Sequence, residues 1–207
     1  MGIAGIILAA GDSTRMGRDK ALLPWPPNAA SNPARPASTL LSSAIQSLAE
    51  HCELVIVVAG KNEANLQPVA WAQGAFLISN PSPERGQFSS LQTGLREALN
   101  RGRDNAMITL VDRPPAQQAT LVELIERFIQ RAHETWAVVP EFGGKHGHPI
   151  LAGRDMIEKF LRAPTASSAR DVEHAHREHI LYVPVNDPLV IRNIDTPEDY
   201  ASIKSEN

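Results

Sequence analysis

Five short apolar runs punctuate the chain, at Ile3–Ala10, Leu54–Ala59, Ala75–Ser79, Ala106–Val111 and Trp136–Pro140. Each is nearly continuous rather than alternating, the pattern of strands covered on both faces of a parallel sheet. Between them the apolar spacing switches to the helical period. Leu40, Leu41, Ala44, Ile45 and Leu48 mark one helix face, and Leu91, Leu95, Ala98 and Leu99 mark another. Leu121, Leu124, Ile125, Phe128 and Ile129 mark a third, with Glu123, Glu126, Arg127 and Gln130 opposite. This alternation predicts a doubly wound α/β sheet.

After Pro140 the pattern changes. Glu141–Gly147 is a glycine-rich turn, and Pro149–Ala152 is too short for a core parallel strand. Helices are predicted at Arg154–Leu161 and, more polar, at Ser168–His176. Ile180–Val185 and Val190–Ile194 are separated only by Asn186-Asp187-Pro188-Leu189, which predicts a tight antiparallel pair and therefore a mixed sheet. A last helix is announced by Thr196 as N-cap, Pro197 at its first position, then Glu198 and Asp199. Pro26–Ser38, with four prolines, reads as a solvated loop inserted into a single 207-residue domain.

Composition narrows the function. With 20 Lys+Arg against 23 Asp+Glu there is no broad basic face, so nucleic acid is not expected as a partner. Cys52 is the only cysteine, which rules out an intrachain disulfide and argues against a cysteine-based zinc site. No run reaches the ~18 apolar residues of a spanning helix, and Ile3–Ala10 lacks the basic flank of a signal peptide. A cytoplasmic protein without a membrane partner is expected.

The chemistry concentrates in Leu8-Ala9-Ala10-Gly11-Asp12-Ser13-Thr14-Arg15-Met16-Gly17-Arg18-Asp19-Lys20. This stretch leaves the first strand at its carboxyl end, where open α/β sheets bind ligands. Small residues let a ligand approach the backbone, exposed amides suit phosphate oxygens, and Arg15 and Lys20 add a forked and a point cation. A solvated loop with two surface cations is the plainer alternative. The stretch is not a Walker loop, because Gly17 is followed by Arg18-Asp19, and it is not a GxGxxG turn.

Asp112 ends an apolar strand, so its carboxylate should emerge at the same edge, and Asp195 should end another strand before the last helix. Two hard oxygen ligands near phosphates suit Mg²⁺. Either residue could instead cap a helix. Ser90, at a helix start, could be only an N-cap. His146 and His148 form a His-x-His pair, but no nearby third His or Cys completes a zinc site. His174, His176 and His179 should be solvated, and Trp25, Trp71 and Trp136 should pack, Trp25 doubling as a possible substrate edge.

The first-loop stretch resembles the LAAGxSxRMGxxKxLLP signature of the small nucleotidyltransferases, most of all the molybdenum-cofactor cytidylyltransferases. Asn80-Pro81 through Gly86, Ser90, Leu91, Gly94 and Leu95 resembles the family's NPxxxxGxxxSLxxGL. Val111-Asp112-Arg113-Pro114 is similar to its DQP turn, Gly147-His148-Pro149 to GHP, and 193–200 to DIDTPEDY. The resemblance implies one three-layer α/β/α domain with a Rossmann-like, mostly parallel mixed sheet of the nucleotide-diphospho-sugar transferase type. It implies transfer of CMP from CTP to the terminal phosphate of molybdopterin, with Mg²⁺ held by Asp112 and Asp195. Arg15 and Lys20 would then be catalytic, Leu8, Ala9, Ala10, Gly11, Asn80, Gly86 and Ser90 nucleotide-binding, and Lys145, His146, Gly147 and His148 beside the acceptor. In the family Leu-Ala-Ala-Gly accompanies CTP and Leu-Ala-Gly-Gly accompanies GTP. A molybdoenzyme, or a chaperone of one, is the implied receiving partner. Other phosphorylated acceptors (a sugar phosphate, an alditol phosphate, phosphocholine) and a non-catalytic nucleotide-binding module remain alternatives. Arg113 in place of Gln, His146 in place of a common Arg, and the Pro26–Ser38 insertion depart from the family pattern.

Overall fold

A computed structural model describes residues 2–11, 16–27, 38–164 and 166–205. Its first half follows the apolar pattern closely. β1 (Ile3–Leu8), β2 (Leu54–Ala59), β3 (Phe76–Ser79) and β4 (Asn105–Leu110) are parallel neighbours in the order β3-β2-β1-β4. The connections are the helices α1 (Leu40–Ala49), α2 (Glu63–Ala72) and α3 (Gln87–Asn100). α4 (Gln118–Ile129) then leads to β5 (Ala137–Phe142).

Two apolar layers sandwich the sheet. Ile3, Ile7, Val55, Val57, Met107 and Val138 face a core shared with α1, α2 and α4. Their neighbours Ala4, Ile6, Ile56, Val58, Ile108 and Val139 face the opposite core. That second core is shared with α3, α5 (Arg154–Arg162) and α6 (Ala169–Ala175). The period of two is thus present, but both phases are apolar, which is why the strands read as unbroken runs. Phe128 and Phe160, one in each layer, are almost wholly buried. Such burial is worth about 1.5–3 kcal/mol per side chain. α3 lies so close to the sheet that a Cβ on Gly94 would stand 2.8 Å from Ile6 Cγ2 and 2.9 Å from Val58 Cγ2.

The second half corrects several expectations. Ile150–Ala152, too short for a core parallel strand, enters the core as an antiparallel one (β7), paired with β4 and β5. β6 (Lys145–His146) folds back on β5 through Gly143 and Gly144, both at positive φ as a two-residue hairpin turn requires. β8 (Ile180–Pro184) pairs parallel with β5, so the predicted antiparallel partner at Val190–Ile194 does not form. Pro188–Ile191 is instead a 3-10 turn. Asp187, fully buried, starts it by accepting from Leu189 N at 3.0 Å. β3 is an exposed edge rather than a buried strand, and the Arg101 guanidinium covers the Phe76 ring at 3.8 Å.

α7 (Pro197–Ser205) closes the chain, with Tyr200 and Ile203 packed on Met16, Leu23, Leu40 and Trp25. Trp71 is 65% exposed and does not pack as expected. His179, expected to be solvated, stacks on Trp136 at 3.5 Å, with His176 at 5.5 Å from the same ring. The ends of the proline-rich loop are pinned by Trp25 N to Ser38 O (2.7 Å) and Leu40 N to Leu23 O (2.9 Å); residues 28–37 lie outside the described residues. Among the described residues no helix is long and apolar enough to cross a membrane.

Candidate active site

The site forms at the carboxyl end of β1 and β4. Ala9 N donates to Val58 O and Val111 N donates to Leu8 O, so the chain leaves both strands still held to the sheet. Ala10 and Gly11 then line a small cavity of about 260 Å³ together with Leu8, Lys20, Ser90 and Asp112. Asn62 braces this turn from the end of β2. Its Nδ2 donates to Ala9 O (2.9 Å) and Asp19 Oδ2 (2.7 Å), while its Oδ1 accepts from Gly60 N (3.1 Å). Asp19 also accepts from Ala21 N at 3.0 Å, which fixes the 3-10 turn carrying Lys20. Sequence reasoning passed over Asn62 because its role is a contact 43 residues away from Asp19.

Lys20 reaches from that turn to both predicted metal ligands. Its Nζ lies 2.9 Å from Asp195 Oδ1 and 3.6 Å from Asp112 Oδ2. Asp195 is not at a strand end, as predicted, but in the segment between the Pro188 turn and α7. It is placed beside Asp112 by the backbone bond from Ile194 N to Asp112 O, 2.8 Å.

Neither carboxylate is spent on a helix end. Thr196 Oγ1 accepts from Asp199 N at 3.2 Å, and the Asp199 carboxylate accepts from Thr196 N and Asp195 N. These backbone donors hold the Asp199 carboxyl below the usual carboxylate range. At α4 the carboxylate comes from Asp187, which accepts from Gln117 N (2.8 Å) and Thr120 Oγ1 (3.0 Å). The capping alternatives for Asp112 and Asp195 therefore fail. Asp112 Oδ1 is buried and has no hydrogen-bond partner among the described residues. A buried carboxylate oxygen without a donor beside a cleft is what a hard cation would complete.

The Asn80 segment shapes the far wall. Asn80 Nδ2 donates to Ser89 Oγ (2.8 Å) and Ser90 Oγ (3.0 Å), and its Oδ1 accepts from Ser82 N. Ser90 is not the helix N-cap: α3 begins at Gln87 and its N-cap is Gly86, at φ 90°, a conformation that favours glycine. Asn80 thus acts on the cleft through Ser90 and the Gly86 turn.

A second, larger cleft of about 1430 Å³ adjoins the first, sharing Leu8, Gly86 and Gln87 with it. Lys145, His146, Gly147 and His148 line it, as does Arg113. Gly147 is required by close packing, since a Cβ there would meet Val190 O at 2.4 Å. His146 stacks on Tyr182, ring centroids 3.9 Å apart. Burial, then the neighbouring Arg113 charge, pushes the His148 imidazole down to about 3, so it is neutral at physiological pH. Arg113 Nη1 donates to Val190 O at 3.0 Å, which ties the turn after Asp112 to the segment leading to Asp195. Arg15 lies outside the described residues.

Residues 5–180 match the MobA-like NTP transferase domain. The chain belongs to that family. A protein of Mycobacterium avium (strain 104) described as a probable molybdenum cofactor guanylyltransferase is 31% identical over 207 residues, 98% of this chain and 95% of its own. The Escherichia coli (strain K12) protein described as molybdenum cofactor cytidylyltransferase is 26% identical over 200 residues, covering 96% of this chain and 94% of its own. Among solved structures, Rv0371c of Mycobacterium tuberculosis H37Rv superposes with a TM-score of 0.79 at 24% identity, over 98% of this chain and 97% of that one. Its complex with manganese superposes at 0.75 and 21%, over the full length of both chains. Lys20, Asp112 and Asp195 thus lie together at one edge of the sheet, beside two adjoining clefts.

Proposed function

We propose that this chain transfers CMP from CTP to the terminal phosphate of molybdopterin, with Mg²⁺, releasing pyrophosphate. The observation that carries the reading is the convergence of Lys20, Asp112 and Asp195 on the turn at Ala10 and Gly11. Asp112 and Asp195 would hold the Mg²⁺. The Asp112 Oδ1, without a donor among the described residues, and the capping of α4 and α7 by Asp187, Thr196 and Asp199 fit that assignment. Bound there, the ion would neutralise triphosphate charge and fix its orientation.

The chain's own residues then have simple tasks. Lys20, and Arg15 by its place in the loop motif, bind phosphate oxygens and offset the charge that develops on the leaving group. Asn62 and Asp19 hold the Lys20 arm and the backbone turn in one geometry. The acceptor phosphate is already ionised at neutral pH. One of its oxygens attacks the α-phosphorus, the bond to the bridging oxygen breaks, and pyrophosphate leaves. No general base is needed, and alignment of the two substrates does most of the work.

The choice of CTP rests on Ala10. Its methyl takes up space in the turn that a second glycine would leave to a purine. The acceptor rests on the names of the full-length relatives and on the larger cleft lined by Lys145, His146, Gly147 and His148. A molybdoenzyme or its chaperone would receive the product. GTP is the second reading, favoured by the guanylyltransferase names of the mycobacterial relatives. Pyrophosphate release measured with each of the four NTPs and isolated molybdenum cofactor decides between them. CTP should be turned over fastest. Faster release with GTP would replace the base, and release only with a sugar phosphate, an alditol phosphate or phosphocholine would replace the acceptor.

A further inference from the structure

The larger cleft has a composition of its own. One wall is a flat aromatic ledge, the His146 imidazole stacked on the Tyr182 ring at 3.9 Å with 14° between planes. A second aromatic pair, Phe88 and Phe160, stands edge to face at 6.3 Å and also lines the cleft. Two carboxylates line the cleft with them, the half-buried Glu173 of α6 and the exposed Glu178.

Glu173 is an unusual resident. The other charged groups of α6 lie mostly in solvent, whereas burial pushes the Glu173 carboxyl up to about 7, and only Arg170 opposes the shift. No hydrogen-bond donor of the described residues is directed at it. It lies close enough to Tyr182 that, after burial itself, its charge raises that phenol. A half-buried acceptor beside a flat ledge, with no internal donor, leaves its hydrogen-bonding capacity to a ligand. The cleft volume, about 1430 Å³, exceeds that of an ordinary small-molecule pocket and has room for a bicyclic ring with a tail.

The junction of the two clefts sets the ligand's direction. Cations line the larger one on several sides (Arg85, Arg113, Lys145, Arg170 and Arg177), but only at Leu8, Gly86 and Gln87 does it open onto the Lys20–Asp112 cavity. An anionic tail would point there and a heterocycle would lie toward α6.

We propose that Glu173 and Tyr182 are specificity-determining residues of the acceptor subsite, Tyr182 with His146 stacking on a flat nitrogen heterocycle and Glu173 accepting hydrogen bonds from adjacent ring N–H and amino donors. This rests on the acceptor proposed above and deepens it. A 2-amino-4-oxopteridine presents two adjacent donors of this kind, and a carboxylate has two acceptor oxygens to meet them. A 2,4-dioxopteridine replaces the amino group by an acceptor and would be repelled. Glu173→Gln keeps size and removes the titrating carboxyl, so it should fold, but its amide places a donor against one of the ligand's donors.

The test needs neither nucleotide nor molybdenum. 6-Hydroxymethylpterin monophosphate and the corresponding lumazine phosphate are titrated into the protein, with pteridine fluorescence as the readout. The wild-type protein should bind the pterin at least tenfold more tightly than the lumazine. Glu173→Gln should weaken pterin binding about tenfold or more and compress that preference, with CTP affinity unchanged. Tyr182→Phe should bind the pterin like wild type, while Tyr182→Ala should bind it weakly. Equal binding of the two pteridines by the wild-type protein, or unaltered discrimination in Glu173→Gln, would overturn the proposal. Intact discrimination in a protein that releases no pyrophosphate with molybdenum cofactor would support this subsite while refuting the transfer reaction.

Discussion

The Lys20 ammonium donates to Asp195 Oδ1 at 2.9 Å, joining two residues 175 positions apart in the chain. Asp112 lies 3.6 Å from the same nitrogen, so one cation serves two carboxylates. Lys20 is only 8% exposed. A buried cation between two acids is a strong local constraint, and removing it leaves like charges facing each other.

Lys20→Met should therefore lower turnover by about a hundredfold or more, about 3 kcal/mol of transition-state stabilisation. It should also lower the melting temperature in the absence of divalent ions. Because binding to the folded state alone stabilises it, Mg²⁺ should raise the melting temperature of Lys20→Met more than that of the wild type. Thermal unfolding with and without Mg²⁺ checks this, and equal shifts in the two proteins would count against a shared cation site.

Ala10→Gly should relax the base preference toward GTP. Ala10 lines the smaller cleft, so removing its methyl loosens the turn there. One methyl is worth only ~1–3 kcal/mol of discrimination, so the switch should be partial. The ratio of kcat/KM for CTP and GTP in the two proteins measures it.

Glu173 links pH to stability. Its folded carboxyl keeps a proton up to about pH 7, whereas the unfolded chain releases it near 4.5. Between those values the folded state binds more protons, so stability falls as pH rises through that window. Glu173→Gln removes the effect. It should be more stable than wild type at pH 8 by about 1–2 kcal/mol, allowing for water in the open cleft, and lose the advantage near pH 4.5. Urea unfolding at the two pH values provides the comparison.

Much of this architecture was legible in the residue pattern, and the reasons differ by element. β1, β2 and β4 announced themselves because both of their faces are largely buried, so polar residues hardly interrupt them, Thr109 being the one inside a run. The faces of α1 and α3 followed from their spacing alone. Pairing between distant segments left no such mark. β7 has three residues and gains its place only from β4 and β5 on either side. Val190–Ile194 has a strand-like composition, but Asp187 and Pro188 commit the start of it to a 3-10 turn, and Val190 O is taken by His148 N and Arg113.

The site divides in the same way. Lys20, Asp112 and Asp195 were identified from residue type, position and family likeness, and the structure brings them together. The strand expected to carry Asp195 is absent; a backbone bond to Asp112 does that work. Asn62, Asp187 and Glu173 escaped notice because an amide or carboxylate in a helix or loop carries no sign of its distant partners. Their roles come from contacts or burial that only the folded chain creates.

The central claim is that Asp112 and Asp195 serve nucleotidyl transfer rather than local structure. Pyrophosphate release by wild type and Asp112→Asn, titrated with Mg²⁺ at saturating CTP and molybdenum cofactor, tests it most directly. The substitution keeps size, removes the charge and touches no helix cap. Asp112→Asn should lose roughly a hundredfold or more in turnover, with stability nearly unchanged. Asp195→Asn should do the same, and the double variant should be far less than additive because both residues serve one ion. Full activity of Asp112→Asn at limiting Mg²⁺ would contradict the account.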